Sequence, residues 1–287
     1  MGGRLGLIGG SGLYRMEALS TGEWRAVDTA WGAPSDALLF GEMEGREVVF
    51  LPRHGRGHRL APDEINARAN IAALKAAGCS EILALSAVGS YRADLPPGTF
   101  VMVDQFVDRT VRGGRSFFGE GIVAHVPLGH PTCGRFATDV AAALAALDLP
   151  HRTSGTMLVM EGPQFSTAAE SRMYKALGCD VVGMTAMPEA RLAREAELCY
   201  LNVAMVTDLD AWAESHVDVA EVVKILSGNA RNAEALVREV ARRSGAREDA
   251  CAAGCDQVLD VAIITARDAW PDATRSRLAT LAPRLFG

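Results

Sequence analysis

Apolar and polar positions follow two different periods along the chain. Eight short runs rich in apolar and β-branched residues have the length of buried strands: RLGLIG, DALLFGEM, REVVFLP, EILALSA, TFVMVDQF, TSGTMLVM, CDVVGMT and CYLNVAMV. Between them, four segments carry apolar residues at helical spacing, and several end at Gly, the residue favoured just past a helix: DEINARANIAALKAAG, GRFATDVAAALAAL, TAAESRMYKALG and EARLAREAEL. The alternation predicts an α/β fold with a central mixed sheet covered by helices on both sides.

The C-terminal part of the sequence is helical in pattern. Residues 217–245 predict one long amphipathic helix, or two helices joined near Ser227 and Gly228, and a last helix is expected from about Pro271 to Leu285. The sequence contains no internal repeat, low-complexity tract or long Pro/Gly/Ser linker. We therefore expect one domain over residues 1–287, with the helices from about residue 217 packing on it.

Composition narrows the classes of function. The chain has 287 residues, 49% of them hydrophobic, and a formal net charge of −6. An acidic chain without a Lys/Arg run is a poor partner for a nucleic-acid backbone, although it can still bind a small anion locally. No 18-residue apolar stretch occurs, and MGGR leads straight into LGLIG. We therefore expect no nucleic-acid or membrane partner, no secretory leader and a cytoplasmic location.

The six cysteines are scattered, and four of them adjoin apolar runs, where reduced and buried thiols are the ordinary outcome. Cys251 and Cys255 are four residues apart and could share a helix face as two metal ligands. No neighbouring His or further Cys completes a ligand set in the sequence, so we expect no metal site.

Two segments near strand ends suit an anion. In IGGSGL, residues 8–13, a strand breaks into glycines that offer backbone N–H groups, together with the hydroxyl of Ser11. The segment has neither the spacing of a dinucleotide site nor that of a P-loop, so an ordinary glycine turn is the alternative. LPRHGRGHRLAP, residues 51–62, concentrates cations in an acidic protein and is either an anion site or a solvated basic loop. Its cationic residues are Arg53, His54, Arg56, His58 and Arg59.

Two further segments add hydroxyl and apolar groups. In LSAVGSYRADLPPG a strand ends in small residues that would let a ligand approach the backbone, and Ser86 adds a hydroxyl. The segment from MEGPQFST to MPEARLARE contributes Glu161, Phe165 and Ser166 before one helix and Met184 and Thr185 before the next. Glu189 and Glu195 on that next helix have a simple interpretation as surface or capping charges.

The segment VTDLDAW places Asp208 and Asp210 directly after a buried strand. Period-2 alternation in an extended chain points both carboxyl groups to the same side, so at least one is expected to have a raised pKa. A carboxyl group that keeps its proton near neutral pH can act as a proton donor. The alternative is that both are loop or capping residues, which are common after strands.

These segments share one geometry, because each lies where a strand gives way to a loop or helix. Ligands of open α/β sheets bind at the carboxyl ends of strands. The side chains supply hydroxyls, Arg and His for an anion, Met and Phe for apolar contact, and two carboxyl groups. That set fits a phosphate together with a nucleoside.

The ordered set of motifs resembles the trimeric purine nucleoside phosphorylase family, and within it the 5′-methylthioadenosine phosphorylases. The motifs that carry the resemblance are IGGSGL, RHGRGH, SAVGS, EGPQFST, GCDVVGMTAMPEA and TDLDAW, and it extends from about residue 4 to about residue 240. The resemblance implies phosphorolysis of 5′-methylthioadenosine to adenine and 5-methylthioribose 1-phosphate. It implies inorganic phosphate as co-substrate, no metal or organic cofactor, and a homo-oligomer that is a trimer or a dimer of trimers.

The resemblance also implies roles for individual residues at matching positions. Asp208 and Asp210 would read adenine, and Phe165 and Ser166 would face the base, with Met184 against the ribose. The implied phosphate ligands are Ser11, Arg53, His54, Ser86, Ala87 and Thr185. The implied surroundings of the 5′ group and ribose are His58, His125, which would reach into a neighbouring subunit, and Val219, in the pocket for a methylthio group.

Three other functions are compatible with these residues. The same chemistry could extend to adenosine, 5′-deoxyadenosine or inosine-type nucleosides. A nucleosidase that uses water is less compatible, because a hydrolase needs no anion site of Ser11, Arg53 and His54. A nucleoside-binding protein without turnover would keep the pocket but lose nothing when Asp208 or Asp210 is replaced.

Overall fold

The computed structural model describes residues 3–13, 16, 19, 21–213, 219–245 and 250–287, without the side chains of residues 219–222. Within these ranges the strands are β1 Arg4–Gly9, β2 Glu23–Arg25, β3 Leu38–Met43, β4 Arg46–Pro52, β5 Cys79–Ser90, β6 Phe100–Val103, β7 Gln105–Asp108, β8 His151–Arg152, β9 Thr156–Val159, β10 Val181–Gly183 and β11 Cys199–Asp208. The helices are α1 Ala67–Ala76, α2 Gly134–Ala146, α3 Ala168–Ala176, α4 Ala186–Glu195, α5 Val219–Ser244, α6 Asp272–Ala279 and α7 Pro283–Phe286.

One forked sheet organises the fold, and β5 is its centre. One edge of β5 pairs in parallel with β11 along most of its length. The other edge pairs in parallel with β1 up to Leu85 and then, in antiparallel orientation, with β10 at Gly89 and Ser90. On one side, the sheet continues from β1 into β4, β3 and β2. It continues from β10 into β9 and β7. A third branch continues from β11 into β6 and β8. The prediction of an α/β fold with a mixed sheet is confirmed.

Helices cover both faces of the sheet because side chains of β5 alternate between two cores. Ile82 packs on one face with the apolar sides of α1 and α4. Leu83 packs on the other face, where Phe136 of α2 meets Leu236 of α5. A strand buried on both faces needs apolar residues at consecutive positions, as Ile82, Leu83, Ala84 and Leu85 provide.

Local sequence signals fix several helix ends. Thr167 and Glu170 form a reciprocal capping box at the start of α3, and the Asn66 side chain accepts a hydrogen bond from the Ala69 N–H at the start of α1. Gly78 and Gly178 follow α1 and α3 with φ of 80° and 81°. Glycine adopts the left-handed backbone conformation at little energetic cost, so a glycine readily ends a helix.

Three features of the fold differ from the sequence prediction, and one open alternative is decided. The run TFVMVDQF forms two strands, because β6 pairs with β11 whereas β7 pairs with β9 on the other branch of the fork. The last predicted helix is two helices, since Pro283 begins α7. Of the two alternatives predicted for residues 217–245, the structure has the single continuous helix, α5, which runs through Ser227 and Gly228. The short strands β2 and β8 were not predicted, since two or three residues carry no readable period.

None of the helices in the described part of the chain has both the length and the apolar character needed for a bilayer crossing.

Candidate active site

A cavity of about 280 Å³ lies at the carboxyl ends of the central strands. The segments that follow β1, β4, β9, β10 and β11 reach it, and β5 passes along it. The edge of β5 is open there, because β1 separates after Leu85 and β10 joins only at Gly89. Backbone groups of residues 86–88 are therefore available to a ligand, as expected at a switch point in an α/β sheet.

Arg53 lies at one end of the cavity and is 1% exposed. Its guanidinium makes a bidentate ion pair with Glu189 of α4, with Nε–Oε1 of 2.6 Å and Nη2–Oε2 of 3.0 Å, and Nη1 donates to the Leu85 carbonyl at 2.9 Å. Burial alone would lower the pKa of Arg53, but the Glu189 carboxylate raises it. The arginine is thus charged, held rigidly and already neutralised by one carboxylate.

Gly10 lets this arginine approach the chain. A Cβ built on Gly10 would lie 2.6 Å from the Leu85 carbonyl oxygen and 2.8 Å from Nη1 of Arg53. Any larger residue would push the guanidinium away from the cavity. The glycines of IGGSGL therefore have a packing reason beyond the turn itself.

The two histidines of the basic segment are stacked, with ring centroids 4.3 Å apart. Burial lowers the pKa of His54 to about 4, and its Nδ1 lies 2.9 Å from the Leu60 carbonyl oxygen. Burial also lowers the pKa of His58. Both rings are neutral near pH 7, so they offer hydrogen bonds rather than charge to a ligand.

Hydroxyl groups surround the same end of the cavity. The Ser86 hydroxyl accepts a hydrogen bond from the Asn202 side chain at 3.0 Å and can still donate to a ligand. Thr185 precedes α4 without capping it through its side chain. Ser11 lies opposite, after β1. The anion end of the cavity therefore depends on neutral donors and one compensated arginine.

Asp208 and Asp210 lie at the other end. The Asp208 carboxylate accepts a hydrogen bond from the Asp210 N–H at 2.9 Å and lies 2.8 Å from the Thr207 hydroxyl. Asp210 is 4% exposed, and its carboxyl group lies close to the hydroxyls of Ser171 and Ser166. Burial raises the pKa of Asp210, and the neighbouring Asp208 charge adds to the effect. The raised pKa makes Asp210 the candidate proton donor of the pair, whereas the Asp208 carboxylate is arranged as an acceptor.

Gly89 makes room for this pair. A Cβ at Gly89 would lie 3.1 Å from Oδ1 of Asp208 and 3.3 Å from Cβ of Asp210. Trp212 holds the following 3₁₀ turn in place, because its indole N–H donates to the Ser90 carbonyl at 2.7 Å and its ring lies 3.1 Å from Nζ of Lys175. The acidic pair is thus fixed by β5 on one side and by the turn on the other.

Comparison with known proteins identifies the family. The family model described as the phosphorylase superfamily matches residues 4–242. The chain belongs to the phosphorylase superfamily.

Several named relatives are similar over nearly the whole chain. The S-methyl-5′-thioadenosine phosphorylase of Cereibacter sphaeroides is 51% identical, over 91% of each chain. A methylthioadenosine phosphorylase from an antarctic soil metagenomic library has a similar structure, with a TM-score of 0.91, 39% identity and coverage of 98% of this chain and 99% of that one. The enzyme from Schistosoma mansoni, solved with adenine, has a TM-score of 0.85, 35% identity and coverage of 92% and 99%. The resemblance predicted from the sequence is confirmed.

In this phosphorylase-superfamily chain, most of the predicted site residues line the single cavity described above. They are Ser11, Arg53, His54, His58, Ser86, Ala87, Phe165, Met184, Thr185, Asp208 and Asp210. Phe165 is 59% exposed, at the mouth of the cavity. Ser166 is buried behind the wall, where its hydroxyl lies 3.7 Å from the Met160 sulfur.

Besides Ser166, two predicted residues are not part of this group. His125 is exposed and does not line the cavity of its own chain, and its backbone N–H donates to the Ala262 carbonyl at 2.8 Å. Its role across a subunit interface stays a prediction. Val219 begins α5, but its side chain lies outside the described residues.

Two expectations about charged residues are corrected. Arg56 and Arg59 do not belong to the anion site, because both face Asp36, at 2.8 Å and 3.7 Å. Glu189 and Glu195 are not surface charges, since they are 1% and 4% exposed. Glu189 lies one helical turn from Ala186 and Leu192 on the buried side of α4, and that spacing is the signal that could have revealed it.

Sequence reasoning also missed several neutral residues of the wall. Asn202 orients Ser86, the Thr207 hydroxyl lies beside Asp208, and Leu226 of α5 lines the cavity. All three sit in apolar runs or on a helix face, where a core role is the default interpretation.

Proposed function

We propose that this protein cleaves 5′-methylthioadenosine with inorganic phosphate, giving adenine and 5-methylthioribose 1-phosphate. One observation supports the proposal above all. One cavity holds Asp208 and the buried Asp210, whose pKa is raised, at one end and a cluster of donors suited to an anion at the other. The names of the relatives, S-methyl-5′-thioadenosine phosphorylase and methylthioadenosine phosphorylase, agree with it.

The purine is assigned to the end with Asp208 and Asp210. An exocyclic amine donates hydrogen bonds and needs an acceptor, which the Asp208 carboxylate provides. Purine N7 accepts a proton as the C1′–N9 bond breaks, and we assign its donation to Asp210, whose pKa is raised by burial. A 6-oxopurine would present acceptors to these oxygens, so two aspartates favour a 6-aminopurine.

Phosphate is assigned to the end with Ser11, Ser86, Thr185 and Arg53. The buried ion pair with Glu189 leaves two guanidinium N–H groups of Arg53 unused by the protein contacts described above. Phosphate held there would attack C1′ as the N9 electron pair departs with the base. Its negative charge would also stabilise the developing cation on the ribose.

The ribose and its 5′ group are assigned to the middle of the cavity. Met184 lines it there, and its sulfur lies against Gly162, where a Cβ would approach to 2.6 Å. His58, Pro62 and Leu226 complete the wall. A neutral ring with two apolar neighbours suits a methylthio group better than an anionic or strongly hydrated substituent.

A substrate panel tests the proposal. 5′-Methylthioadenosine, adenosine, 5′-deoxyadenosine and inosine would be incubated with and without phosphate, with free base measured by chromatography and the sugar phosphate by phosphorus NMR. We expect adenine release that requires phosphate, with the highest kcat/KM for 5′-methylthioadenosine. Equal release without phosphate would indicate a nucleosidase, and no turnover would indicate a binding protein. A higher kcat/KM for another nucleoside would support the broader phosphorylase.

The cytoplasmic location, the trimeric or hexameric assembly and the absence of a metal or organic cofactor from the chemistry stay predictions. Size-exclusion chromatography with light scattering tests the assembly.

A further inference from the structure

Four cysteines that are far apart in the sequence meet at the amino end of β11. They are Cys133, Cys199, Cys251 and Cys255, all buried, and their sulfur atoms lie within 4.8 Å of one another. The sequence prediction considered only the last two and expected no completing ligand. That expectation is wrong, because the fold brings Cys133 from the start of α2 and Cys199 from the start of β11.

The spacing of the sulfur atoms fits one tetrahedral ion. Four thiolates about 2.3 Å from a zinc ion are separated by about 3.8 Å along each tetrahedral edge. The sulfurs of Cys133 and Cys251 are 3.7 Å apart. A disulfide needs about 2.05 Å, and an iron–sulfur cluster holds its cysteine sulfurs farther apart because several irons and sulfides lie between them.

The backbone around Cys251 and Cys255 is built to present both sulfurs to one point. The CAAGC segment has the C-x₃-C spacing found in zinc sites. Gly254 takes φ of 68°, and its N–H donates to the Cys251 carbonyl at 2.7 Å. The Cys251 N–H donates to the Asp256 carboxylate at 3.1 Å, which closes the turn.

A buried arginine faces the sulfur cluster. Arg194 is 9% exposed, and its Nη1 donates to the Cys255 sulfur at 3.5 Å. Within the described ranges, Arg194 forms no ion pair with a carboxylate. The guanidinium of Arg135 also lies near Cys251 and Cys199, although it hydrogen-bonds to Glu81 and Asp139. A buried cation needs a compensating anion. A divalent ion with four thiolate ligands has a net charge of −2, so it would supply that anion.

We propose that Cys133, Cys199, Cys251 and Cys255 bind one divalent ion, zinc by its preference for four thiolates, as a structural site. Four protein ligands leave no open coordination position, so the ion takes no part in the chemistry. The site is also remote from the cavity. Nine residue steps of about 3.3 Å along β11 separate Cys199 from Asp208 by about 30 Å.

The role of the ion follows from what it connects. Cys251 and Cys255 belong to the segment that follows α5, whereas Cys133 and Cys199 belong to the α/β core. Downstream of the site, the same segment forms a bridge between Ala124 and Ile263 and continues into α6 and α7. The ion therefore fastens residues 250–287 to the sheet, and binding energy of this kind appears as folding stability.

Metal analysis of the full-length protein tests the site. The protein would be expressed with added zinc sulfate and purified under anaerobic, reducing conditions. The zinc content per chain would be measured by mass spectrometry, and the atoms bound to the zinc would be identified by X-ray absorption spectroscopy. We expect one zinc ion per chain with four sulfur neighbours at about 2.3 Å. A zinc content near zero, or oxygen and nitrogen neighbours in place of sulfur, would overturn the proposal.

Paired variants locate the site. Cys251→Ser should lose the zinc and lower Tm, whereas Cys179→Ser, at a buried cysteine outside the cluster, should keep the full zinc content. Equal zinc content in both variants would contradict the assignment.

A measurement on the wild-type chain keeps the test valid if Cys251→Ser fails to fold. Zinc would be removed with a chelator under reducing conditions and replaced by Co²⁺. A tetrahedral thiolate spectrum, with intense visible d–d bands and a sulfur-to-cobalt charge-transfer band, is expected. Weak octahedral bands, or disulfides among the four cysteines found by mass spectrometry of anaerobically alkylated protein, would refute the site.

Discussion

The two ends of β11 carry two clusters of reactive side chains, and the clusters differ in how accessible they are to a ligand. At the carboxyl end, Asp210 is buried with a raised pKa beside a cavity that is open to a ligand. At the amino end, the sulfur of Cys199 lies among three others in a fully buried site. An acidic group beside an open cavity is suited to a substrate, whereas a closed set of ligands is suited to stability.

The largest expected effect is a loss of activity from substitutions at the carboxyl end of β11, with no change at the cysteine cluster. Asp208→Ala and Asp210→Ala should each lower kcat/KM by about 10²–10⁴-fold, because the departing purine loses its proton donor or its acceptor. Zinc content should stay unchanged in both. Asp94→Ala, which alters an exposed ion pair with Arg92, is the matched control and should retain activity. Full activity in either cavity variant would remove the acidic pair from the mechanism.

The next effect concerns stability at the anion end. Glu189→Ala leaves Arg53 buried without its carboxylate, and breaking such a pair costs about 3–5 kcal/mol. Urea denaturation measures the loss in unfolding free energy. Glu47→Ala, which breaks the exposed pair with Arg4, should change it little. Similar losses in the two variants would show that the Arg53–Glu189 pair has no special structural role.

A third effect tests a buried carboxyl that contacts neither cluster. Burial raises the pKa of Glu195 from 4.5 to about 7. Hydrogen bonds from the Phe117 N–H and the Ser116 hydroxyl act in the opposite direction, but burial outweighs them. The folded state thus holds this proton more tightly than the unfolded chain. The resulting stability is present below pH 4.5 and is lost as the pH rises through about 7.

Replacing Glu195 isolates this effect. Glu195→Gln should remove a pH-dependent difference of at most about 3 kcal/mol in unfolding free energy between pH 4 and pH 8. Denaturation curves across that range measure it. An unchanged pH slope in the variant would show that Glu195 titrates normally.

The smallest expected effect is a change in the pH dependence of kcat, which shows whether Asp208 or Asp210 donates the proton. A general acid must be protonated, so kcat should fall about tenfold per pH unit once the pH exceeds the raised pKa of the pair. Asp210→Asn should abolish or displace this descending limb in a profile measured at saturating phosphate. A limb that persists in Asp210→Asn but disappears in Asp208→Asn would place the proton on Asp208.

Local pattern was sufficient for most of the fold. RLGLIG and REVVFLP coincide with β1 and β4, because a buried parallel strand must be apolar at consecutive positions. The split of TFVMVDQF could not be predicted, since it depends on β11 and β9, the partners of its two halves. Pairing partners are a property of the tertiary fold and leave no period in the sequence.

The candidate site divides in the same way. Ser11, Arg53 and Asp208 were predicted, because polar residues after apolar runs are visible in the sequence. Glu189, the ion-pair partner of Arg53, was not predicted. A glutamate on a helix resembles any surface charge until the buried side of that helix is known. The cysteine cluster was missed for a similar reason, because its four members come from three separate stretches of the chain.

A crystal structure of the protein with adenine and phosphate tests the central claim most directly. We predict that the adenine N6 and N7 atoms lie within hydrogen-bonding distance of the Asp208 and Asp210 carboxyl groups. Phosphate should contact Ser11, Thr185 and Arg53 at the opposite end of the same cavity. Adenine bound away from both aspartates, or phosphate bound outside the cavity, would contradict the account.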